Sequence, residues 1–201
     1  SSTSRGLGDV YKRQTLNTAN SGVFSIQYTV EDAAGNRTSA TRIVNVTDGE
    51  GPVITLLGTN PMDTAFGYPF TDPGATAVDN SDGTIPFSSF TVDDTSLDTN
   101  TLGTYAIIYT VSDSSGNSSS LQRTVYVVDM DAPVIILSGA NPMRIDQYDT
   151  YNELGATAVD NVDSTVSVVP DNSSVNSSVV GTYTVTYTAT DAAGNTATAT
   201  R

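Results

Sequence analysis

Acidic residues return at fixed places in this chain. Asp79-Asn80-Ser81-Asp82-Gly83 recurs 81 residues later as Asp160-Asn161-Val162-Asp163-Ser164. Asp113-Ser114-Ser115-Gly116-Asn117 recurs 78 residues later as Asp191-Ala192-Ala193-Gly194-Asn195. Two further acidic stretches, Asp48-Gly49-Glu50 and Asp129-Met130-Asp131, stand just ahead of Pro52 and Pro133. Carboxylate and carbonyl oxygens are hard ligands, and gathered together they suit Ca²⁺. The spacing is not that of an EF-hand loop, which places ligands at alternate positions and a Glu further on. Asp and Asn are also turn formers whose short side chains bond their own backbone. The turn reading is the default, and Ca²⁺ is the chemistry that can be tested against it.

Catalysis lacks its usual agents. The chain has no His and no Cys, and its one Lys, Lys12, lies in an atypical N-terminal segment. The common bases and activated nucleophiles are therefore missing. Neighbouring carboxylates such as Asp93 and Asp94 would point to opposite faces of a strand rather than across a cleft. The chain is expected to be non-catalytic. Its formal net charge of −14 argues against nucleic acid or an anionic membrane as partner, because both would repel it. No apolar run is long enough to insert in a membrane as a helix.

The elements that must position these acids follow from period-two alternation. Tyr183, Val185, Tyr187 and Ala189 share one face of a predicted strand over Tyr183–Asp191, with Thr184, Thr186, Thr188 and Thr190 on the other. Tyr105, Ile107, Tyr109 and Val111 repeat the pattern, as do Phe24, Ile26, Tyr28 and Val30. The Asp113–Asn117 segment then predicts a type I turn with a Gly bulge. Arg42, Arg123 and Arg201 are equivalent on the following strand, where an Arg laid across the sandwich edge and paired with an Asp is expected. Helix periodicity is absent, and Gly, Pro, Asn and Asp punctuate the chain roughly every 8–12 residues. The fold class is therefore all-β, with tandem antiparallel β-sandwiches of about seven strands per complete repeat and no disulfide.

The order Ala132-Pro133-Val134-Ile135, then Gly155 through Asn161, then Gly181-Thr182-Tyr183 through Asn195, resembles the bacterial Ig-like surface repeat. The same Ig-like domain occurs in insecticidal crystal proteins, and it is similar to hyalin-type repeats linked to adhesion. The resemblance covers residues 15–201. It implies Ig-like sandwiches that serve as spacers or as accessory modules beside other domains. One departure is visible: Asp82-Gly83 becomes Asp163-Ser164, which should alter the turn there.

The repeat frame divides the chain into 1–14, 15–50, 51–131 and 132–201. Ser1–Gln14 shows no similarity to the matching stretch of the repeat and looks like translated sequencing-adapter readthrough, expected to be unstructured. Residues 15–50 are the C-terminal part of a repeat, 51–131 a complete one, and 132–201 one cut in its last strand. In an Ig-like sandwich the loop after the second strand and the last hairpin share a pole with the entering chain. Asp48 and Glu50 are thus expected beside Asp79, Asp82 and Asp113, and Asp129 and Asp131 beside Asp160, Asp163 and Asp191. Ca²⁺ held at these interdomain junctions would stiffen them.

The functional expectation is a structural or spacer array from a secreted or cell-surface bacterial protein, with a role in adhesion or display. Its partners are the neighbouring repeats and a surface glycan or protein. The alternative is an accessory carbohydrate- or ligand-binding module of a secreted multidomain enzyme or adhesin. That reading needs exposed aromatics, for which Tyr68, Phe90, Tyr126, Tyr148 and Tyr151 are the candidates.

Overall fold

A computed structural model describes Leu16 and residues 18–201. Ser1–Gln14, set apart on sequence grounds, lies outside the described residues. The first hairpin pairs β1 (Gly22–Glu31) with β2 (Arg37–Val46) antiparallel, Gly22 opposite Val46. Phe24 and Ile26 on its apolar face are half-buried, while Tyr28 and Val30 on the same face stay 47% and 55% exposed. The Arg42 guanidinium lies 5.8 Å over the Tyr28 ring.

Seven strands follow between residues 53 and 128. They are β3 (Val53–Leu56), β4 (Met62–Ala65), β5 (Ala75–Asp79), β6 (Gly83–Ile85), β7 (Thr91–Asp93), β8 (Gly103–Ser112) and β9 (Ser118–Val128). Their orders are β3-β5-β6 in one sheet and β4-β9-β8-β7 in the other, as the sandwich reading requires. One pairing departs from the antiparallel expectation. β4 runs parallel to β9, with Met62 opposite Val125. Parallel neighbours need a long connection, and most of the repeat lies between these two strands.

The remaining strands are β10 (Val134–Leu137), β11 (Ala156–Val159), β12 (Val168–Asp171), β13 (Thr186–Thr190) and β14 (Thr196–Thr200). β10 pairs with β11, and β12, β13 and β14 form a sheet in that order. β13 is shorter than the predicted strand, starting at Thr186. Val185 nevertheless exchanges two 2.9 Å backbone hydrogen bonds with Arg201, which continue the pairing by one residue. The turn expected to change at Ser164 does change. Gly83 sits at φ 72°, a region costly for residues with a Cβ, and β6 pairs with β5 over three residues. At the Ser164 position the equivalent ladder is reduced to one bridge, Ala158 to Val166.

The chain divides into two compact units that cut across the repeat frame. One comprises the described residues up to Leu57, Gly74–Val92 and Tyr109–Leu121; the other comprises Gly58–Pro73, Asp93–Ile108 and Gln122–Arg201. The long strands β8 and β9 contribute to both. In the first unit Ala77, Ile85 and Val111 form a buried cluster against Ile54 and Phe90. In the second, Ile107, Val125, Val127, Val185, Tyr187 and Ala189 are buried. Each larger apolar side chain removed from water in this way contributes about 1.5–3 kcal/mol. On β8, β9 and β13 alternate side chains face inward, which places Ile107, Val111, Val125, Val127, Tyr187 and Ala189 in the core.

Candidate functional site

The turns are built by their own carboxylates. Asp113 Oδ1 accepts from the Asn117 backbone N–H at 2.8 Å and Oδ2 from the Asn117 side-chain amide at 2.8 Å. Gly116 N–H reaches Asp113 O, and Gly116 takes φ 91°, the predicted Gly bulge. Asp191 repeats this with Asn195 at 2.8 and 2.9 Å. In the loop after β5, Asp79 Oδ1 accepts from Ser81 and Asp82 N–H at 2.8 and 3.0 Å. Asp160 Oδ1 does the same for Val162 and Asp163. The loops are tied to the hairpins as well. Asp82 accepts from Ser114 N–H and hydroxyl at 2.6 and 2.7 Å, and Asp163 from Ala192 N–H at 2.7 Å.

The linkers arrive at the same place. Pro52 and Pro133 are buried, and ahead of them Asp48 Oδ1 accepts from Glu50 N–H and Asp129 Oδ1 from Asp131 N–H, each at 3.2 Å. Asn117 donates to the Asp48 carbonyl and Asn195 to the Asp129 carbonyl. In consequence one carboxylate oxygen from each of Asp48, Asp79 and Asp113 lies within 4.8 Å of the others, as do those of Asp129, Asp163 and Asp191. Asp160 stands close enough to Asp129 to act on its ionisation. Glu50 and Asp131 instead take hydrogen bonds from Asn80 and Asn161. Of the ten acids the sequence put forward, six form the two triads. Asp82 is turned to Ser114.

The charges respond to these surroundings. For Asp113 and Asp191, desolvation opposes ionisation, but the Asn side-chain and backbone bonds outweigh it and hold both carboxyls below the ordinary 3.8. Asp129 is raised, first by burial and then by repulsion from Asp160, Asp191 and Asp163. The signs differ in their consequence. A lowered carboxyl contributes stability above its unfolded value and loses it as pH falls through the folded value; a raised one costs stability as pH rises past 3.8. Lowered groups are the majority, with Asp32, Asp93, Asp98, Asp171 and Glu153 among them. Urea midpoints are therefore expected to fall as pH drops below about 4. A midpoint that is flat or rising in that range contradicts the bracing role of these carboxylates.

The equivalent Arg residues form a second constellation, paired with an acid as expected for Arg123 but buried. Arg123 is fully buried, not laid across an edge, and its Nε sits 3.1 Å from Asp72 Oδ1 while Nη1 donates to Thr59 O at 2.6 Å. In the following repeat Arg201 pairs with Glu153 at 3.2 Å, donates to Ser138 O, and covers the Tyr187 ring at 5.6 Å. Glu153 also accepts from the hydroxyls of Tyr151 and Tyr187 and from Gly155 N–H. Burial weighs against Glu153 ionising, but these donors together hold it below its usual range. The signal was present: Asp72 and Glu153 both stand two residues before the repeat's Gly74 and Gly155.

The model of the family described as bacterial surface protein, Ig-like domain, matches residues 5–46, 54–127 and 135–201. The chain belongs to this family. The first matched segment begins inside Ser1–Gln14. Among solved structures, the lipoprotein BT2262 from Bacteroides thetaiotaomicron is similar at 20% identity and a TM-score of 0.34, over 70% of this chain. The chain spans 61% of that protein's length. No curated protein matches. Membership of the bacterial surface Ig-like family agrees with the all-β architecture without cysteine and marks the chain as a surface-protein domain.

Proposed function

We propose that this chain is a non-catalytic run of Ig-like repeats, at 15–50, 51–131 and 132–201, that spaces or displays another part of a bacterial surface protein in adhesion. The observation that carries the reading is the repeated clasp on each linker. Asn117 and Asn195, Asn80 and Asn161, and the Asp82 and Asp163 loops make the same bonds in successive repeats. A clasp of this kind fixes the direction in which the chain enters a repeat, which a spacer needs and a soluble enzyme does not. The family is generally non-catalytic, which supports the same reading.

The glycan-binding alternative loses candidates. Phe90 packs into the core against Phe87, with ring centroids 5.3 Å apart, and the Tyr151 hydroxyl is committed to Glu153. Tyr68, Tyr126 and Tyr148 are exposed but hold no common register in the repeat. Force–extension measurement on the whole chain in chelator tests the proposal. A spacer gives discrete unfolding steps, with a contour of about 27–29 nm for a repeat of this length at roughly 3.3–3.6 Å per residue. Featureless extension at low force, or micromolar binding on a glycan array, would overturn it.

A further inference from the structure

We propose that Asp48, Asp79 and Asp113 form one Ca²⁺ site, and that Asp129, Asp163 and Asp191, with Asp160 beside them, form a second. The inference stands on carboxylate geometry and does not depend on the spacer reading. Close acids alone are common on protein surfaces, so the deciding observation is a different one. Asp79 is 4% exposed, and its Oδ2 is buried with no hydrogen-bond partner; Asp48 Oδ2 is in the same condition. In the following repeat the orphaned oxygens are Oδ2 of Asp129 and of Asp160, at the equivalent positions.

Turn formation does not account for them. Each of these four acids already braces its turn through Oδ1. A buried carboxylate oxygen left without a donor costs stability, and natural structures rarely keep one without a partner such as an ion. Here the cost recurs in register in two repeats: in the first both acids belong to the triad with Asp113, and in the second Asp129 belongs to the triad with Asp163 and Asp191. The first hairpin supplies an internal contrast. Asp32 makes the same turn with Ala34 and Asn36, yet it is exposed and belongs to no acidic group among the described residues.

The chemistry selects the ion. Only oxygen donors are present, as Ca²⁺ requires. Two oxygens bound to one Ca²⁺ at about 2.3–2.6 Å can stand up to about 5 Å apart, and in each triad the carboxylate oxygens lie within 4.8 Å of one another, inside that reach. Mg²⁺, octahedral at about 2.0–2.1 Å, gives up its waters reluctantly and usually takes only one or two carboxylates, so it suits such a group less well. Backbone N–H bonds on Oδ1 hold the carboxylates in place, so little ordering remains to oppose binding. The ion would tie the linker acid, the loop acid and the hairpin acid of one repeat together.

The test is calorimetric titration of Ca²⁺ alone into the chelator-treated full chain, with thermal melting in parallel. Two ions per chain are expected, with a rise in melting temperature on the order of 5 °C at saturation. Asp79→Asn keeps an oxygen for the Ser81 and Asp82 N–H groups while removing the charge, and should leave one ion. Asp129→Asn should remove the other, and Asp32→Asn neither. No heat and no thermal gain at millimolar Ca²⁺ would overturn the proposal without any variant. So would an equal response to Mg²⁺, or two ions still bound by Asp79→Asn/Asp129→Asn. Because the force measurement is made in chelator, failure here leaves the spacer reading standing, and the reverse.

Discussion

Replacing Asp72 by Ala lowers the unfolding free energy by about 3–5 kcal/mol, the cost of removing one partner of a buried ion pair. The reason is the position of Arg123, whose side chain is wholly removed from solvent. A guanidinium keeps its charge in proteins, so taking away Asp72 leaves a buried cation without its carboxylate, with the Thr59 carbonyl and Met62 Sδ still among its acceptors. The hydrogen bond to Thr59 O remains, which limits the damage without offsetting it. Asp72 itself is 24% exposed on its side chain and loses little packing when truncated. The effect is therefore electrostatic. It is read as the shift in urea midpoint of the full chain by circular dichroism. The double variant Asp72→Leu/Arg123→Met should regain most of the loss, because an apolar pair of similar volume carries no desolvation cost. A loss under 1 kcal/mol for Asp72→Ala would mean that Arg123 reaches water in solution.

Tyr187→Ala is expected to cost about 3–5 kcal/mol, the range for emptying a large aromatic position in a core. Tyr187 is fully buried on the inward face of β13, with Arg201 over its ring and its hydroxyl 2.6 Å from Glu153 Oε1. Tyr187→Phe separates the two contributions. It keeps the ring and removes one donor to a buried carboxylate, a change worth about 1.5–3 kcal/mol. Desolvation, then the bond to Glu153, raises the Tyr187 ionisation far above the ordinary 10.0, so the hydroxyl stays a donor throughout the usable pH range. Both variants are measured by chemical denaturation followed in the near ultraviolet. Wild-type stability in Tyr187→Phe would show that Tyr151, Arg201 and Gly155 satisfy Glu153 by themselves.

These two predictions rest on groups of unequal legibility in the sequence. Tyr187 was readable, because alternation with Val185 and Ala189 leaves an aromatic no face but the inner one. Its partner Glu153 was not. It lies in a loop-rich stretch 34 residues earlier, where no local period marks which side chain turns inward. Arg123 was noticed for its repeated position but expected at an edge, since long cationic side chains usually keep their heads in water. Its burial depends on Asp72 and Thr59 O, both supplied from distant parts of the chain.

The acidic sites divide in the same way. Their residue types, their recurrence and their association with turns came from the sequence, as did the pole at which an Ig-like chain gathers them. The sequence did not separate Asp48 from Glu50, or Asp129 from Asp131. In the structure, Asn80 and Asn161 draw Glu50 and Asp131 away, and Asp48 and Asp129 remain with the triads.

By itself the sequence determined the all-β class, the repeat, the inward faces of β8, β9 and β13 and the turn chemistry. Each of these is local, set by steric preference and by a side-chain period of two. Tertiary structure alone decided the parallel seat of β4 on β9, the carboxylate partners of Arg123 and Arg201, and which Asp oxygens are buried without a donor. Those depend on groups brought together from 30 to 70 residues apart. Burial and pairing at that range are fixed by packing, for which a linear pattern carries no signal.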